Sequence, residues 1–138
     1  MGTRRKACRI SRAARSQVEF FAAESYPLEV AGFVIGDDHS LQYAAPITRY
    51  EVRHGRFITY GLQANIVAEE VFGDSVVAEF HSHPQNHPSI SKNDLANMED
   101  NDMEWIVGIC PGVRKWRLHN RLYTRQGNRP LIVPIVWN

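Results

Sequence analysis

The pattern of apolar and polar residues predicts three helices set among strands. Over residues 11–26, apolar side chains recur at spacings of three and four, as on the buried face of an amphipathic helix. Pro27 follows and ends this helix. A second helix is predicted over residues 62–72, and a third begins at Ser91.

Short runs rich in β-branched residues predict the strands. They cover residues 29–35, 41–45, 56–60, 75–80, 105–110, 115–119, 122–125 and 131–136. The turn Gly36-Asp37-Asp38 joins the first two as a hairpin. Helices interspersed with strands, followed by a final run of strands, predict an α/β (α+β) domain with one mixed β-sheet.

The composition limits the classes of protein that the chain can be. With 138 residues, 43% of them hydrophobic, it fits one compact domain and is too apolar for a disordered chain. It has neither a membrane-spanning apolar stretch nor a signal peptide, so we expect a soluble, cytoplasmic product with no membrane partner. Cys8 and Cys110 lack the spacing of a metal site, and we expect free thiols.

Positive charge is concentrated at the start of the chain. Six of the sixteen Lys and Arg residues precede the first acid, Glu19, so the rest of the chain is mildly acidic. We therefore expect residues 1–10 to be a basic, solvated tail and residues 11–138 to form the domain. Nucleic-acid binding would place basic residues over a folded face, which disfavours nucleic acid as a partner.

One window carries candidate chemistry: His81-x-His83, then Ser91 and Asp94. Histidines two apart on a strand point to the same side, so both imidazoles can bind one ion. Asp94, in the first turn of the next helix, can supply a third ligand if the loop folds back. Three ligands of nitrogen and oxygen type leave one tetrahedral position open, as in catalytic zinc sites.

Each of these residues also has a purely structural interpretation. Alone, His81 and His83 are ordinary histidines at a strand end, and Ser91 with Asp94 is close to a capping box. Capping and a functional role are compatible at Ser91, because a helix N-terminus favours negative charge. Glu29 alone is a solvated residue before a strand, but at the mouth of a core it is a candidate general base.

Two segments, taken together, resemble the JAMM (MPN-plus) metalloprotease family. They are Glu29 before a Val-Ala-Gly-Phe strand, and His-Ser-His-Pro followed by Ser91 and Asp94. The resemblance implies a mixed sheet flanked by helices, similar to that of cytidine deaminases. It also implies that His81, His83 and Asp94 bind Zn²⁺. Glu29 would be the general acid/base, and Ser91 would help to stabilise the oxyanion. Ala31 and Ile90 depart from residues common in relatives, but neither supplies a ligand or a proton.

The resemblance implies a zinc-dependent peptidase or isopeptidase that hydrolyses an amide bond. The stretches 104–108 and 115–118 resemble the JAMM domain of phage tail-tip assembly proteins. This implies a peptide, muropeptide or protein substrate, phage tail proteins as partners, and association with the virion. The alternative is a catalytically silent structural or assembly subunit of a tail tip. Ubiquitin is disfavoured as a substrate, because the loop between His83 and Ser91 has no room for a gripping insertion.

Other residues favour no further activity. A nucleotide deaminase needs HxE followed by PCxxC. Here Cys110 comes before Pro111, the reverse of that order, and no second cysteine follows. Trp105 and Trp116 are expected in the core or on a sheet face, and His87 on the surface of the loop.

Overall fold

Strands make up most of the described chain. The structure, a computed structural model, describes residues 7–37, 40–46, 51–53, 57–59, 73–85, 87–112 and 116–138. Its elements are β1 (Cys8–Ile10), α1 (Arg12–Ser25), β2 (Ala31–Asp37), β3 (Ser40–Pro46), β4 (Glu51–Arg53), β5 (Phe57–Thr59), a 3₁₀ turn (Gly73–Ser75), β6 (Val76–His83), α2 (Lys92–Ala96), β7 (Met103–Cys110), β8 (Arg117–Gln126), β9 (Arg129–Val133) and β10 (Ile135–Trp137). The predicted α+β class with a mixed sheet is confirmed.

Eight of the strands form one sheet, in the order β10-β1-β3-β2-β6-β7-β8-β9. β1 is parallel to both β10 and β3, and β6 is parallel to β7, whereas the other pairs are antiparallel. β4 and β5 form a separate antiparallel pair. The sheet is therefore mixed, and β6 lies near its centre.

The sheet curls until its two edge strands meet at a corner. β9 and β10 lie at opposite edges, yet Pro134 alone joins them. Eight flat strands would separate these edges by about 34 Å at the usual spacing of about 4.8 Å. The predicted single strand over 131–136 is wrong. Pro134 interrupts it, because proline has no N–H to donate to the hydrogen bonds of a sheet. The Pro134 carbonyl accepts from Cys8 N at 2.9 Å.

Helix α1 packs on the sheet through a stripe of small residues. Ala14, Val18 and Ala22 have no exposed surface, and the helix contacts β3, β6 and β7. Alanines let the helix axis approach the strands closely, while Phe21 stacks on Phe80 of β6 at 6.4 Å between ring centroids. The amphipathic helix predicted over residues 11–26 is confirmed.

The first strand corrects the expected N-terminal tail. Cys8–Ile10 pair with β10 and β3, and the side chains of Cys8 and Ile10 are buried while Arg9 is exposed. The basic residues around this segment obscured its alternating pattern in the sequence. Residues 8–10 are part of the sheet, and the expected tail cannot include them.

Strand β8 corrects another boundary. Two strands, 115–119 and 122–125, were expected on either side of Asn120, but Arg117–Gln126 is continuous. Asn120 does not form a turn because both ends of its side chain are bonded within the fold. Its Oδ1 accepts from Trp105 Nε1 at 2.9 Å, and its Nδ2 donates to Glu19 Oε2 at 2.9 Å.

The remaining predictions agree with the described residues. The hairpin over 29–45 is confirmed as β2 and β3. The strand over 75–80 is confirmed as β6, which begins one residue later and continues to His83, and the strand over 105–110 is confirmed within β7. The strand over 56–60 is β5, and the helix from Ser91 is the short α2. The predicted helix over 62–72 lies outside the described residues. No helix in the described part of the chain is both long and apolar enough to span a bilayer.

Replacing Ser11, the N-cap of α1, tests how the helix is anchored. Its Oγ accepts from Ala14 N at 3.0 Å and donates to Gln42 O of β3 at 2.7 Å. Ser11→Ala should therefore lower the free energy of unfolding by about 1–2 kcal/mol in urea titrations. Ser16→Ala, at an exposed position of the same helix, is the matched control and should change it little. Equal stability of the two variants would contradict this role for Ser11.

Candidate metal centre

The two histidines of the motif meet at the end of β6. His81 and His83 lie on the same side of the strand, and their Nε2 atoms are 3.0 Å apart. The side chains are largely buried, with 12% and 10% of their surfaces exposed. Two imidazole nitrogens at this separation can bind one ion.

Asp94 completes a triangle with these nitrogens. Its Oδ2 lies 3.3 Å from His81 Nε2 and 3.5 Å from His83 Nε2. A tetrahedral zinc ion with ligand bonds of about 2.0–2.1 Å holds its ligand atoms about 3.3–3.4 Å apart. The three measured separations of 3.0, 3.3 and 3.5 Å lie within about 0.4 Å of these values, so side chains of the right chemistry lie close to the arrangement that such an ion requires.

The capping box also forms, so Asp94 has two roles available at once. Ser91 Oγ accepts from Asp94 N at 3.0 Å, and Asp94 Oδ2 accepts from Ser91 N at 3.0 Å. The oxygen that faces the histidines is thus held by the helix N-terminus. Capping orients the carboxylate toward the histidines and does not compete with ligation.

Arg125 fixes the other end of α2. This helix has only five residues and buries none of them, so packing alone cannot hold it. The Arg125 guanidinium donates to the carbonyls of Leu95 and Met98, at the C-terminal end of the helix. Cations are favourable there, and the contact ties the element that carries Asp94 to β8.

Glu29 reaches the histidines through the pairing of β2 with β6. The register places Ala31 opposite His81, and its continuation places Glu29 opposite His83. Glu29 is buried, and it offers a carboxylate oxygen that lies within 4.8 Å of a ligand nitrogen on each histidine. The structure therefore brings the four residues Glu29, His81, His83 and Asp94 together.

Ser82, between the two histidines, fastens this pairing. Its N–H donates to Val30 O at 2.9 Å, and Val30 N donates to Ser82 Oγ at 2.9 Å. Ser82 has no exposed surface, so both bonds are shielded from water. No role for Ser82 was predicted from the sequence, although a polar residue between two candidate ligands on a buried strand was a usable signal.

Both imidazoles have a partner on the ring nitrogen that faces away from the triangle. His81 Nδ1 lies 2.5 Å from Glu104 Oε1 on β7, and His83 Nδ1 lies 3.3 Å from the main-chain O of His87. Glu104 was not predicted as a site residue. The signal was a charged residue within the apolar run of a buried strand.

Gly108 of β7 allows the loop to approach His83. A Cβ at this position would lie 2.5–2.7 Å from main-chain atoms of His87. Only glycine leaves room for the loop to pack on β7 at this point, so His87 contributes its carbonyl here while its side chain is exposed as expected. Of the two tryptophans expected in the core or on a sheet face, Trp105 is fully buried, whereas Trp116 is 39% exposed and packs edge-on against Tyr26.

The carboxylates strongly affect protonation of the site. Burial by itself lowers the pKa of His81, but the hydrogen bonds and charges of Asp94 and Glu104 outweigh it and raise the pKa to about 10. Burial raises the pKa of Asp94, but hydrogen bonds with His81 and His83 outweigh it and hold the pKa far below its usual range. Without a metal, the cluster is thus an ion pair of imidazolium and carboxylate.

This ion pair predicts how the stability of the metal-free protein depends on pH. Above the unfolded pKa of 6.5, folded His81 retains a proton that the unfolded chain releases, so stability falls as pH rises toward 10. We expect urea titrations with a chelator present to show this decline in the parent. The decline should be absent from the His81→Gln variant, so parallel pH profiles for the two proteins would contradict it.

Comparisons with known proteins support a single family. A family model for prokaryotic homologs of the JAB domain matches residues 11–119. No curated protein matches the sequence.

Solved structures are similar over nearly the whole chain. Protein DSY2949 of Desulfitobacterium hafniense has a TM-score of 0.71 at 13% identity, covering 95% of this chain and 92% of its own. AF2198 of Archaeoglobus fulgidus, a JAB1/MPN domain protein, has a TM-score of 0.55 at 17% identity, covering 94% and 97%. A structure described as a JAMM metalloprotease-like zinc site in the proteasome and signalosome has a TM-score of 0.55 at 16% identity, covering 95% and 99%.

At these identities the structural likeness establishes the fold, and the family rests on the matched sequence. That segment contains Glu29, both histidines, Ser91 and Asp94. The chain therefore belongs to the family of prokaryotic homologs of the JAB domain.

Proposed function

We propose that this protein is a zinc-dependent metallopeptidase or isopeptidase that hydrolyses an amide bond. The observation that carries the proposal is the triangle of His81 Nε2, His83 Nε2 and Asp94 Oδ2, with sides of 3.0–3.5 Å, beside the Glu29 carboxylate. The similar structure described as a metalloprotease-like zinc site supports zinc as the ion.

In this proposal His81, His83 and Asp94 hold the ion. A bound zinc ion lowers the pKa of a coordinated water from about 15.7 to about 7 and polarises a carbonyl oxygen. The centre is formed by two neutral imidazoles and one carboxylate, so a divalent cation retains net positive charge for this chemistry. The ligands also come from a strand and a capped helix, which hold them with little freedom.

Glu29 moves the proton. Water adds to the carbonyl carbon while a carboxylate oxygen of Glu29 accepts the proton that the water loses. Glu29 then gives this proton to the amide nitrogen as the C–N bond breaks, which leaves an acid and an amine. Ser91, at the N-terminus of α2, is proposed to stabilise the negative oxygen that develops on the carbonyl.

Two substitutions separate the base from the ligands. Glu29→Gln keeps the shape of the side chain but cannot accept the proton, so we expect full zinc content and a turnover number lowered about 10²–10⁴-fold. His83→Ala removes a ligand and should lose both zinc and activity. Glu24→Gln, at an exposed position of α1, is the matched control and should resemble the parent.

The measurements are zinc content by elemental analysis and cleavage of a panel of peptides, muropeptides and isopeptide-linked proteins. Equal cleavage by the parent and the Glu29→Gln variant would remove the proposed base. A parent that binds zinc but cleaves no member of the panel would favour the alternative, a structural or assembly subunit of a tail tip.

We also propose that the enzyme works in a phage or prophage tail module. The support is the resemblance of residues 104–108 and 115–118 to the JAMM domain of tail-tip assembly proteins. Peptidoglycan cross-links and tail proteins are then the candidate substrates. Mass spectrometry should detect the protein in purified phage particles or in the lysate of the cells that produce them. Its absence from both samples would contradict this setting.

A further inference from the structure

We infer that Glu104 is a positioning residue that fixes the orientation and the tautomer of the His81 imidazole. The inference rests on the proposed metal at His81, His83 and Asp94. It concerns how the chain prepares one ligand of that metal.

The geometry places Glu104 directly behind the ligand. β7 runs parallel to β6, with Glu104 opposite Glu79 and Ile106 opposite His81, so Glu104 and His81 share a sheet face two residues apart in register. From there Glu104 Oε1 reaches His81 Nδ1 at 2.5 Å. The Glu104 residue is only 8% exposed.

A carboxylate at this place restricts the chemistry of the ring. An ionised carboxylate can only accept a hydrogen bond, so the proton of a neutral His81 ring must sit on Nδ1. The lone pair of Nε2 is then free and points to the atoms that complete the triangle, His83 Nε2 and Asp94 Oδ2. Contacts of this kind orient a histidine ligand and increase its basicity.

His83 provides an internal comparison. Its Nδ1 has a neutral partner, the main-chain O of His87, at the longer distance of 3.3 Å. The two ligands are therefore held unequally, by a charged acceptor at His81 and by a carbonyl at His83. Charge-assisted hydrogen bonds are shorter and roughly twice as strong as neutral ones, so His81 is the more firmly oriented ligand.

The burial of Glu104 also points to this role. Most of β7 is apolar and buried, and a buried carboxylate without a partner is strongly unfavourable. In the part of the chain that the structure describes, the ion pair found for Glu104 is with His81. An apolar residue would serve packing at this position as well or better, so the carboxylate is explained by its contact with the imidazole.

The test measures zinc affinity by chelator competition, without any substrate. Glu104→Ala should weaken zinc binding about 10–100-fold. Glu104→Gln, whose amide oxygen can still accept from Nδ1, should recover part of this loss. Glu24→Gln removes an exposed carboxylate from α1 and should bind zinc like the parent.

A second readout reports on the ring itself. In the zinc-loaded parent, the proton on His81 Nδ1 should give a downfield NMR resonance that exchanges slowly with water. Glu104→Ala should lose this resonance. Ser11→Ala, which weakens the fold at a distance, should retain both the resonance and the parent affinity, and this separates positioning from general destabilisation.

The outcomes distinguish this inference from the proposed function. Binding by Glu104→Ala within about threefold of the parent would overturn the role of Glu104 while leaving the metal centre intact, since outer contacts of this kind usually contribute at least tenfold. An equal loss in Ser11→Ala would also overturn it. A parent that binds no zinc would overturn the metal centre, and the proposed function with it.

Discussion

The pairing of β2 with β6 is the constraint on which the site depends. Ser82 closes this pairing with a hydrogen bond in each direction to Val30. Because side chains alternate along a strand, this inward-facing serine forces its two neighbours, both histidines, to the opposite face. The same bonds hold Glu29, the residue before Val30, with its carboxylate beside the two histidines. One buried serine therefore sets the distance between the proposed base and the proposed ligands.

Around this pairing, elements with little packing of their own are held by polar contacts. Helix α2 buries no residue, and its place is set by the capping box at its start and by Arg125 at its end. The loop before it lies on β7 because Gly108 has no side chain. Such contacts are directional, whereas apolar packing is not, so they fix the orientation of the elements that carry the ligands. The curled sheet and α1 provide the rigid support beneath them.

Prediction from the sequence succeeded where one local pattern dominates and failed where a residue's partner is distant. The helix over 11–26 has a cap, a periodic apolar face and a proline stop, and it forms as expected. Asparagine favours turns, but hydrogen bonds from the Asn120 side chain to Trp105 and Glu19 keep this residue in a strand. The strand at Cys8–Ile10 exists only because β3 and β10 lie on either side of it. Glu104 was overlooked for the same reason, since its partner is on another strand.

The sequence by itself determined the class of fold, the main helix and the identity of the residues that could bind a metal. Those features depend on residue type and on the spacing of residues that are close together in the sequence. The tertiary structure decided which atoms meet: the triangle of ligand atoms, the approach of Glu29 and the carboxylate behind His81. The approach of Glu29 and the contact of Glu104 join elements that are far apart in the sequence, and they follow from the register of β6 with β2 and with β7. No local pattern encodes that geometry.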